Sequence, residues 1–512
     1  MAGYTGVTVA KVYERYVYLP IHAITKSPGK RVNRWGRWFA RMQMSTKQPN
    51  FEPDGLERRS ASMGSGNVLQ SVSTPLSIND VLRSTDEVHR YDVANLGNKF
   101  PSKQTASPLT AFMESSLFVD ANSWSMETLG KRNNSDSSGH PYRLMMRSGP
   151  RRILHFDPTE AGSCAAIVTC GGLCPGLNNV IREIVNTLKQ YGVETVYGII
   201  GGYKGCVQDD QWRLLTPDNV QDIHQQGGSV IVSDRGNPPE SEIAKVLARR
   251  KVRQFFVLGG DGTHRGAMGC FKAMEELGHE CAVVGVPKTI DNDIPLLDHS
   301  FGFDTACTEA EKAIDSAYVE ATTNANCIGL VRLMGRHCGF IALWASLAAR
   351  HVDICLLPEM DISKVKLLDH VATIMRRKKN AVIVVAEGCG DTIIKGDGST
   401  DAGGNKSLAD VGPYLKDEII SHLKSQSIPV TIKYIDPTYM VRSVAANATD
   451  SVYTSLLAQH AVHAAMAGDT GCTVGRVDGR YVTLPIHAIT SQGSRKVDVQ
   501  GRMFERLMMT TR

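Results

Sequence analysis

Seven short, continuous apolar runs, separated by stretches of helical periodicity, dominate the chain from about Arg151 onward: "AAIVTC", "TVYGII", "VRQFFVLGG", "CAVVGVP", "CIGLVRLM", "VDICLLP" and "AVIVVAEG". Runs of this length without polar alternation suit strands buried on both faces, which belong to mostly parallel sheets covered by helices. The stretch after the first run, "NNVIREIVNTLKQYG", has apolar residues at helical spacing, Asn178 or Asn179 as a cap and Gly192 as a stop. The pattern predicts an α/β fold. In such sheets ligands sit beyond the carboxyl ends of the strands, so chemistry is to be sought immediately after each run.

The rest of the chain narrows the class. A length of 512 residues is enough for two or three domains of roughly 150 residues. Residues 48–150 are rich in Ser, Asn, Asp and Pro, as in "GKRNNSDSSGHP", and predict a mostly irregular extension with a few short ordered pieces. No apolar run approaches the ~18 residues of a membrane-spanning helix, so no membrane partner is expected. Residues 1–47 and 466–512 align without a gap, with about half the positions identical. This is a single duplication rather than a repeat array. The first copy holds nine Lys or Arg against one acid, Glu14. The net charge of +5 therefore hides a slightly acidic remainder, and nucleic acid is not an expected partner. The twelve cysteines are scattered through apolar runs, without zinc spacing or the density of a secreted scaffold. They read as buried thiols, with a redox pair of Cys170 and Cys174 as the alternative.

The loops after the runs hold the candidate chemistry. "TCGGLCPGLNN" (169–179) leads into a helix; Gly171 and Gly172 let backbone approach a phosphate, or simply make a turn. "GGDGTHRGA" (259–267) sets Asp261 among glycines at a helix start, a hard oxygen ligand beside a phosphate cradle, as Mg²⁺-nucleotide binding requires. "PKTIDNDIP" (287–295) brings Lys288, Asp291 and Asp293 together. Close carboxylates resist joint ionisation unless a cation is near, and Lys288 or a metal could supply it. "LMGRHCGF" (333–340) offers Arg336 as an anion clamp, "AEGCG" offers Glu387 to sugar hydroxyls, and "KYIDPTYMVR" (433–442) gathers Lys433, Tyr439 and Arg442. Two phosphate sites, a metal ligand and a carboxylate pair fit phosphoryl transfer.

"GGDGT", "PKTIDND", "MGR" and "YIDPTYMVR", in this order from about residue 151 to 512, resemble the 6-phosphofructokinases, specifically the plant ATP-dependent type. The resemblance implies two Rossmann-like three-layer α/β/α domains with mostly parallel sheets and an active site in the cleft between them. Residues 151–303 would bind nucleotide, with 440–465 returning to that domain; 304–439 would bind sugar phosphate, and 466–512 would form a tail. It implies an allosteric glycolytic kinase that phosphorylates fructose 6-phosphate on its 1-hydroxyl. By the resemblance Asp291 is the general base and Asp261 positions Mg²⁺. Gly171, Arg235, Gly236, Gly260, Asp261, Gly262 and Thr263 would contact ATP. Thr289, Ile290, Asp291, Met334, Gly335, Arg336, Glu387, Tyr439, Met440, Val441 and Arg442 would hold the sugar phosphate, with Lys288, Asp293 and Lys433 in support. A homo-oligomer, a homotetramer, is implied, in the cytoplasm with the plastid as the alternative.

Two features bear on donor and assembly. Pyrophosphate-using relatives have Asp where this chain has Gly262, which leaves room for the ATP α-phosphate, whereas Lys288 matches the pyrophosphate enzymes. The plant ATP type has both features, so ATP is expected and pyrophosphate is the alternative. Two arginines that reach across subunits in bacterial relatives are replaced by Cys327 and Lys433. The first copy of the tail is expected to be dispensable, a remnant of an adjacent duplicated gene. The alternatives are a segment swapped onto another subunit or, from the basic "KRVNRWGRWFARMQM", a transit peptide. The rival functions are a kinase for NAD or a lipid, which shares "GGDGT" alone, and a non-catalytic regulatory subunit.

Overall fold

The computed structural model describes residues 88–128, 142–234, 236–394 and 409–511, all within one unit, Pro75–Arg512. Every expectation about residues 1–47 and about Arg235 lies outside the described residues. Ahead of the first long apolar run come β1 (Val88–Tyr91), β2 (Trp124–Thr128) and β3 (Tyr142–Arg147). The apolar runs then supply β4 (Cys164–Thr169), β5 (Val196–Ile199), β7 (Val252–Gly259) and β8 (Ala282–Pro287), with β6 (Trp212–Leu215) between β5 and β7. Next are β9 (Cys327–Leu333), β10 (Ile354–Leu356), β11 (Asn380–Ala386) and β12 (Thr431–Ile435). The hairpin β13 (Cys472–Val477) and β14 (Arg480–Pro485) follows.

Among the described residues these form two sheets. The larger has ten strands in the order β1-β3-β14-β13-β8-β7-β4-β5-β6, with β2 paired to β3. Its centre, β13-β8-β7-β4-β5, is parallel. The smaller, β10-β11-β9-β12, is parallel throughout. Every residue of β4 and β8 is buried, as uniform apolar runs require when helices cover both faces.

The helices that matter for the site are α1 (Leu177–Tyr191), α2 (Asp261–Leu277), α3 (Phe303–Thr323), α4 (Phe340–Ala349), α5 (Ala448–Met466), α6 (Ile486–Thr490) and α7 (Arg502–Thr510). α1 ends on Gly192 in the left-handed region, φ 95°, where the missing Cβ removes the usual penalty. Its start differs from the sequence expectation. Gly176 is the N-cap, while buried Asn178 donates to Gln226 O and accepts from Val230 N. A cap asparagine and one serving a neighbouring loop look alike in sequence.

The stretch before the first long run also contributes more order than its composition suggests. β1 runs parallel to β3, and β3 pairs antiparallel with β14. Its ladders with β1 and β14 join residues distant in sequence, so local pattern held little trace of them, whereas β2 is the strand directly before it.

Candidate active site

Strand register decides which loops meet. Gly259 of β7 pairs with Pro287 of β8, so Gly260 and Lys288 leave the sheet side by side, and Lys288 N donates to Gly259 O at 2.9 Å. In the smaller sheet Leu333 of β9 pairs with Ala386 of β11, which brings Met334 level with Glu387. The two sets of loops line one cleft of about 460 Å³ containing Asp261, Lys288, Asp291, Asp293, Arg336 and Glu387.

Asp261 opens α2, after Gly260 as an extended N-cap. A carboxylate there meets the positive end of the helix dipole. Its side chain is 49% exposed and pairs with Arg265 at 2.6 Å. Burial raises the Asp261 carboxyl, Arg265 opposes that shift, and Asp293 adds to it. Beneath lies His264, fully buried, its Nδ1 3.0 Å from Gly260 O and Nε2 3.1 Å from Thr473 Oγ1. Burial pushes its imidazole down to about 4, so it braces the loop as a neutral ring at neutral pH.

The loop after β8 is tied internally. Asp291 N donates to Thr289 Oγ1 at 3.1 Å, Ser300 Oγ to Thr289 O at 2.7 Å, and Ser300 N to Asn292 Oδ1 at 3.0 Å. Asn292 sits at φ 57°, a left-handed value that asparagine tolerates. Lys288 Nζ donates to Gly172 O at 2.6 Å, joining this loop to the one after β4. Asp291 keeps part of its surface open while its Oδ1 is enclosed and lacks a hydrogen-bond partner among the described residues. Burial, then the carboxylates of Asp293 and Glu387, push the Asp291 carboxyl up to about 7, against Arg336 and Lys288. A carboxyl poised there is a base suited to neutral pH.

On the opposite wall, Gly335 adopts φ 134°, where a Cβ would lie 2.4 Å from Cys338 O. Its carbonyl accepts from Gly388 N at 3.1 Å, locking the turn before Arg336 to the turn after Glu387. Glu387 pairs with Arg332 at 3.1 Å, and Arg332 also holds Asp436.

Of the sequence candidates, Gly260, Asp261, Lys288, Thr289, Ile290, Asp291, Asp293, Met334, Arg336, Glu387 and Arg442 line the cleft. Gly171, at φ 85°, stands just behind it, its N–H given to Asp234 O and its carbonyl taken by Ser233 Oγ. Gly262 lines a smaller adjoining pocket of about 230 Å³ with Tyr203 and Arg265, and a Cβ there would meet nothing within 4 Å. The Tyr203 hydroxyl donates to Thr263 O, and Gly236 packs against Lys204.

Tyr439, Met440, Val441 and Lys433 stand away from the cavity wall. Tyr439 and Met440 are 72% and 64% exposed, and Val441 is in the core; Thr438 and Arg442 face the cleft instead. Lys433, on the edge strand β12, pairs with Glu320 at 3.3 Å. The cleft also takes in Ile489, Gly493 and Ser494 from the tail. No motif announced them; a conformational demand at Gly493 was the one available hint. All twelve cysteines are free. Cys174 donates to Phe301 O at 3.2 Å, and burial pushes the Cys170 thiol up to about 12. Neither forms the redox pair that the sequence left open.

Residues 164–465 match the family profile described as phosphofructokinase. The chain is 47% identical over 372 residues to ATP-dependent 6-phosphofructokinase 7 of Arabidopsis thaliana, covering 71% of this chain and 76% of that one. It is 44% identical to ATP-dependent 6-phosphofructokinase of Amycolatopsis methanolica, over 71% and 81% of the two chains. Among solved structures it resembles the pyrophosphate-dependent phosphofructokinase of Marinobacter aquaeolei, with a TM-score of 0.57 and 19% identity over 68% of this chain and 91% of that one. That likeness concerns the fold.

Proposed function

The chain belongs to the phosphofructokinase family, and from that membership we propose the reaction of its cleft: transfer of the terminal phosphoryl group of ATP to the 1-hydroxyl of fructose 6-phosphate, giving fructose 1,6-bisphosphate. The observation that carries the reading is that Asp261 and Asp291 open on one cavity, so a nucleotide held at one can reach an acceptor held at the other.

Asp291 takes the proton of the attacking hydroxyl as the new O–P bond forms and the bond to the departing ADP breaks. Lys288, fixed through Gly172, brings positive charge to the phosphate side of the loop. Arg336 and Arg442 are the cations on the sugar side, and Glu387, steadied by Arg332, accepts from sugar hydroxyls. Asp261 is the carboxylate for Mg²⁺. Mg²⁺ usually keeps waters and phosphate oxygens and needs only one or two protein carboxylates, which fits a cleft where the described residues form no cage of three or more His, Cys, Asp or Glu. When bound, the ion neutralises charge on the phosphates.

ATP is the proposed donor because the space beside Gly262 is open, where an aspartate would repel the nucleotide's inner phosphate. Residues 151–303 with 440–465 are assigned to nucleotide and residues 304–439 to sugar phosphate. A homotetramer is proposed, supported by Val319 and Trp344, exposed on α3 and α4 at 59% and 45%, and by edge strand β12. A cytoplasmic location is proposed as well; among the described residues no helix is long and apolar enough to cross a membrane.

Purified protein with Mg²⁺ and fructose 6-phosphate, given ATP or pyrophosphate in parallel, tests the reading. Fructose 1,6-bisphosphate should form with ATP. Product with pyrophosphate alone would reverse the donor assignment, and no product with either would remove the reaction.

A further inference from the structure

The tail segment from the last residue of α6 to the start of α7, residues 490–501, touches both walls of the cleft. On the side of the larger sheet, Arg495 N donates to Asp293 O at 2.6 Å, and Arg495 Nη1 donates to Leu297 O at 2.8 Å and Asp298 O at 3.3 Å. These three carbonyls belong to the second half of the loop that bears Asp291. On the side of the smaller sheet, the Arg495 guanidinium lies 5.0 Å from the centre of the Phe340 ring, at the start of α4. Two residues on, Val497 N donates to Glu359 Oε1 at 2.9 Å, and the same oxygen accepts from Gly339 N at 3.0 Å. Phe340 and Gly339 directly follow the turn that holds Arg336.

We propose that residues 490–501 form a crossbar spanning the cleft, and that Arg495 is a positioning residue which fixes the Asp291 loop against the Arg336 turn. The inference rests on the phosphotransfer reading above, because it assigns the spacing of those two loops a catalytic consequence. A guanidinium suits the task. It offers several donors in one plane, so it can hold two carbonyls while its face rests on an aromatic ring. A lysine supplies a single ammonium and no planar fork. The charged groups that face Asp291 from the surrounding elements are Asp293, Glu387, Arg336 and Lys288; the thiols of Cys174 and Cys338 lie near it as well, the latter donating to Asp291 O at 3.2 Å, and Arg495 reaches it only through the loop backbone.

Phosphoryl transfer depends on alignment, and a displacement of about 1 Å can cost roughly 100-fold in rate. Freed from the crossbar, the loop also admits water to Asp291, which relieves the penalty on its charged form and lowers its pKa.

The test compares wild type, Arg495→Ala and Arg495→Lys in steady-state turnover of ATP and fructose 6-phosphate across pH, with thermal melting alongside. For Arg495→Ala the expected result is a fall in kcat of roughly 10- to 100-fold, a KM for ATP within about twofold of wild type, and an acid limb of kcat/KM moved to lower pH. Arg495→Lys should recover part of the rate and part of the limb's position. A rate loss accompanied by an unmoved acid limb is what a merely structural role predicts, and it overturns the proposal. So does wild-type kcat in Arg495→Ala. Should the alanine variant fail to fold, Arg495→Lys decides: a reduced kcat with a shifted limb supports the crossbar, and wild-type behaviour overturns it. A wild-type enzyme inert towards fructose 6-phosphate would instead remove the reading on which the inference rests.

Discussion

Asp291 is held where its charge is costly, with Oδ1 enclosed and two further carboxylates near. Its folded-state pKa of about 7 lies above the ordinary carboxylate value near 4, so the folded chain holds a proton that the unfolded chain releases. Stability therefore falls as pH rises from about 4 to about 7 and stays lowered above that. Asp291→Asn, which cannot ionise, should melt higher than wild type at pH 8, by a difference on the order of a few kcal/mol, and the gain should vanish near pH 4. The same substitution removes the base, and turnover should fall roughly 10²- to 10⁴-fold while ATP still binds, as calorimetry can show. In wild type, kcat/KM should climb with pH through about 7, following the Asp291 carboxyl; a flat profile across that range would exclude Asp291 as the base. The sequence made this residue legible, because three charged side chains directly after an apolar run have few bland explanations. It did not disclose that Tyr439 and Met440 face outward, since a motif identifies a turn but not which of its side chains the backbone turns inward.

At the scale of elements, two glycines that look alike in sequence differ physically. Gly335 is demanded by the fold: φ 134°, with backbone oxygen 2.4 Å from where a Cβ would stand. Gly335→Ala should cost about 1–3 kcal/mol and, by displacing Arg336, raise the KM for fructose 6-phosphate about tenfold or more, measurable against a nearly unchanged KM for ATP. Gly262 has open space on its side-chain face, so the fold has no need of glycine there. Gly262→Asp should leave the melting temperature within a few degrees of wild type while sharply reducing turnover with ATP, because the new carboxylate faces phosphate oxygens. An unaltered rate with ATP would detach donor choice from this position. Apolar runs disclosed β4, β7, β8, β9 and β11 because those strands are buried on both faces. β3 stayed hidden: "YRLMMR" follows a polar stretch that separates it from its hairpin partner β2, and its other two ladders come from residues far away in the chain.

At the scale of the whole molecule, the described copy of the duplicated tail supplies the physical terms for comparing the two copies. Residues 466–512 place β13 in the parallel centre of the large sheet beside β8, return as β14, and cross the cleft through Arg495. A catalytic unit has one such place, and the second copy fills it. The first copy also lacks what the crossbar needs. Gly493, at φ 71°, corresponds to Pro28, and Arg495 corresponds to Lys30. Proline is fixed near φ −65°, so its sequence cannot follow the path taken at Gly493. Two chain-level changes separate these ideas. Deleting residues 1–47 should leave kcat and both KM values within about twofold of wild type. Replacing residues 490–512 by residues 25–47 should instead collapse turnover, even though the two segments align without a gap, and restoring Gly and Arg at the positions of Pro28 and Lys30 within that graft should recover part of it. Lost activity on deletion would show that the first copy takes part in the working enzyme, as a segment exchanged between subunits would. Full activity in the unrepaired graft would show that neither the left-handed glycine nor the guanidinium is needed to bridge the cleft.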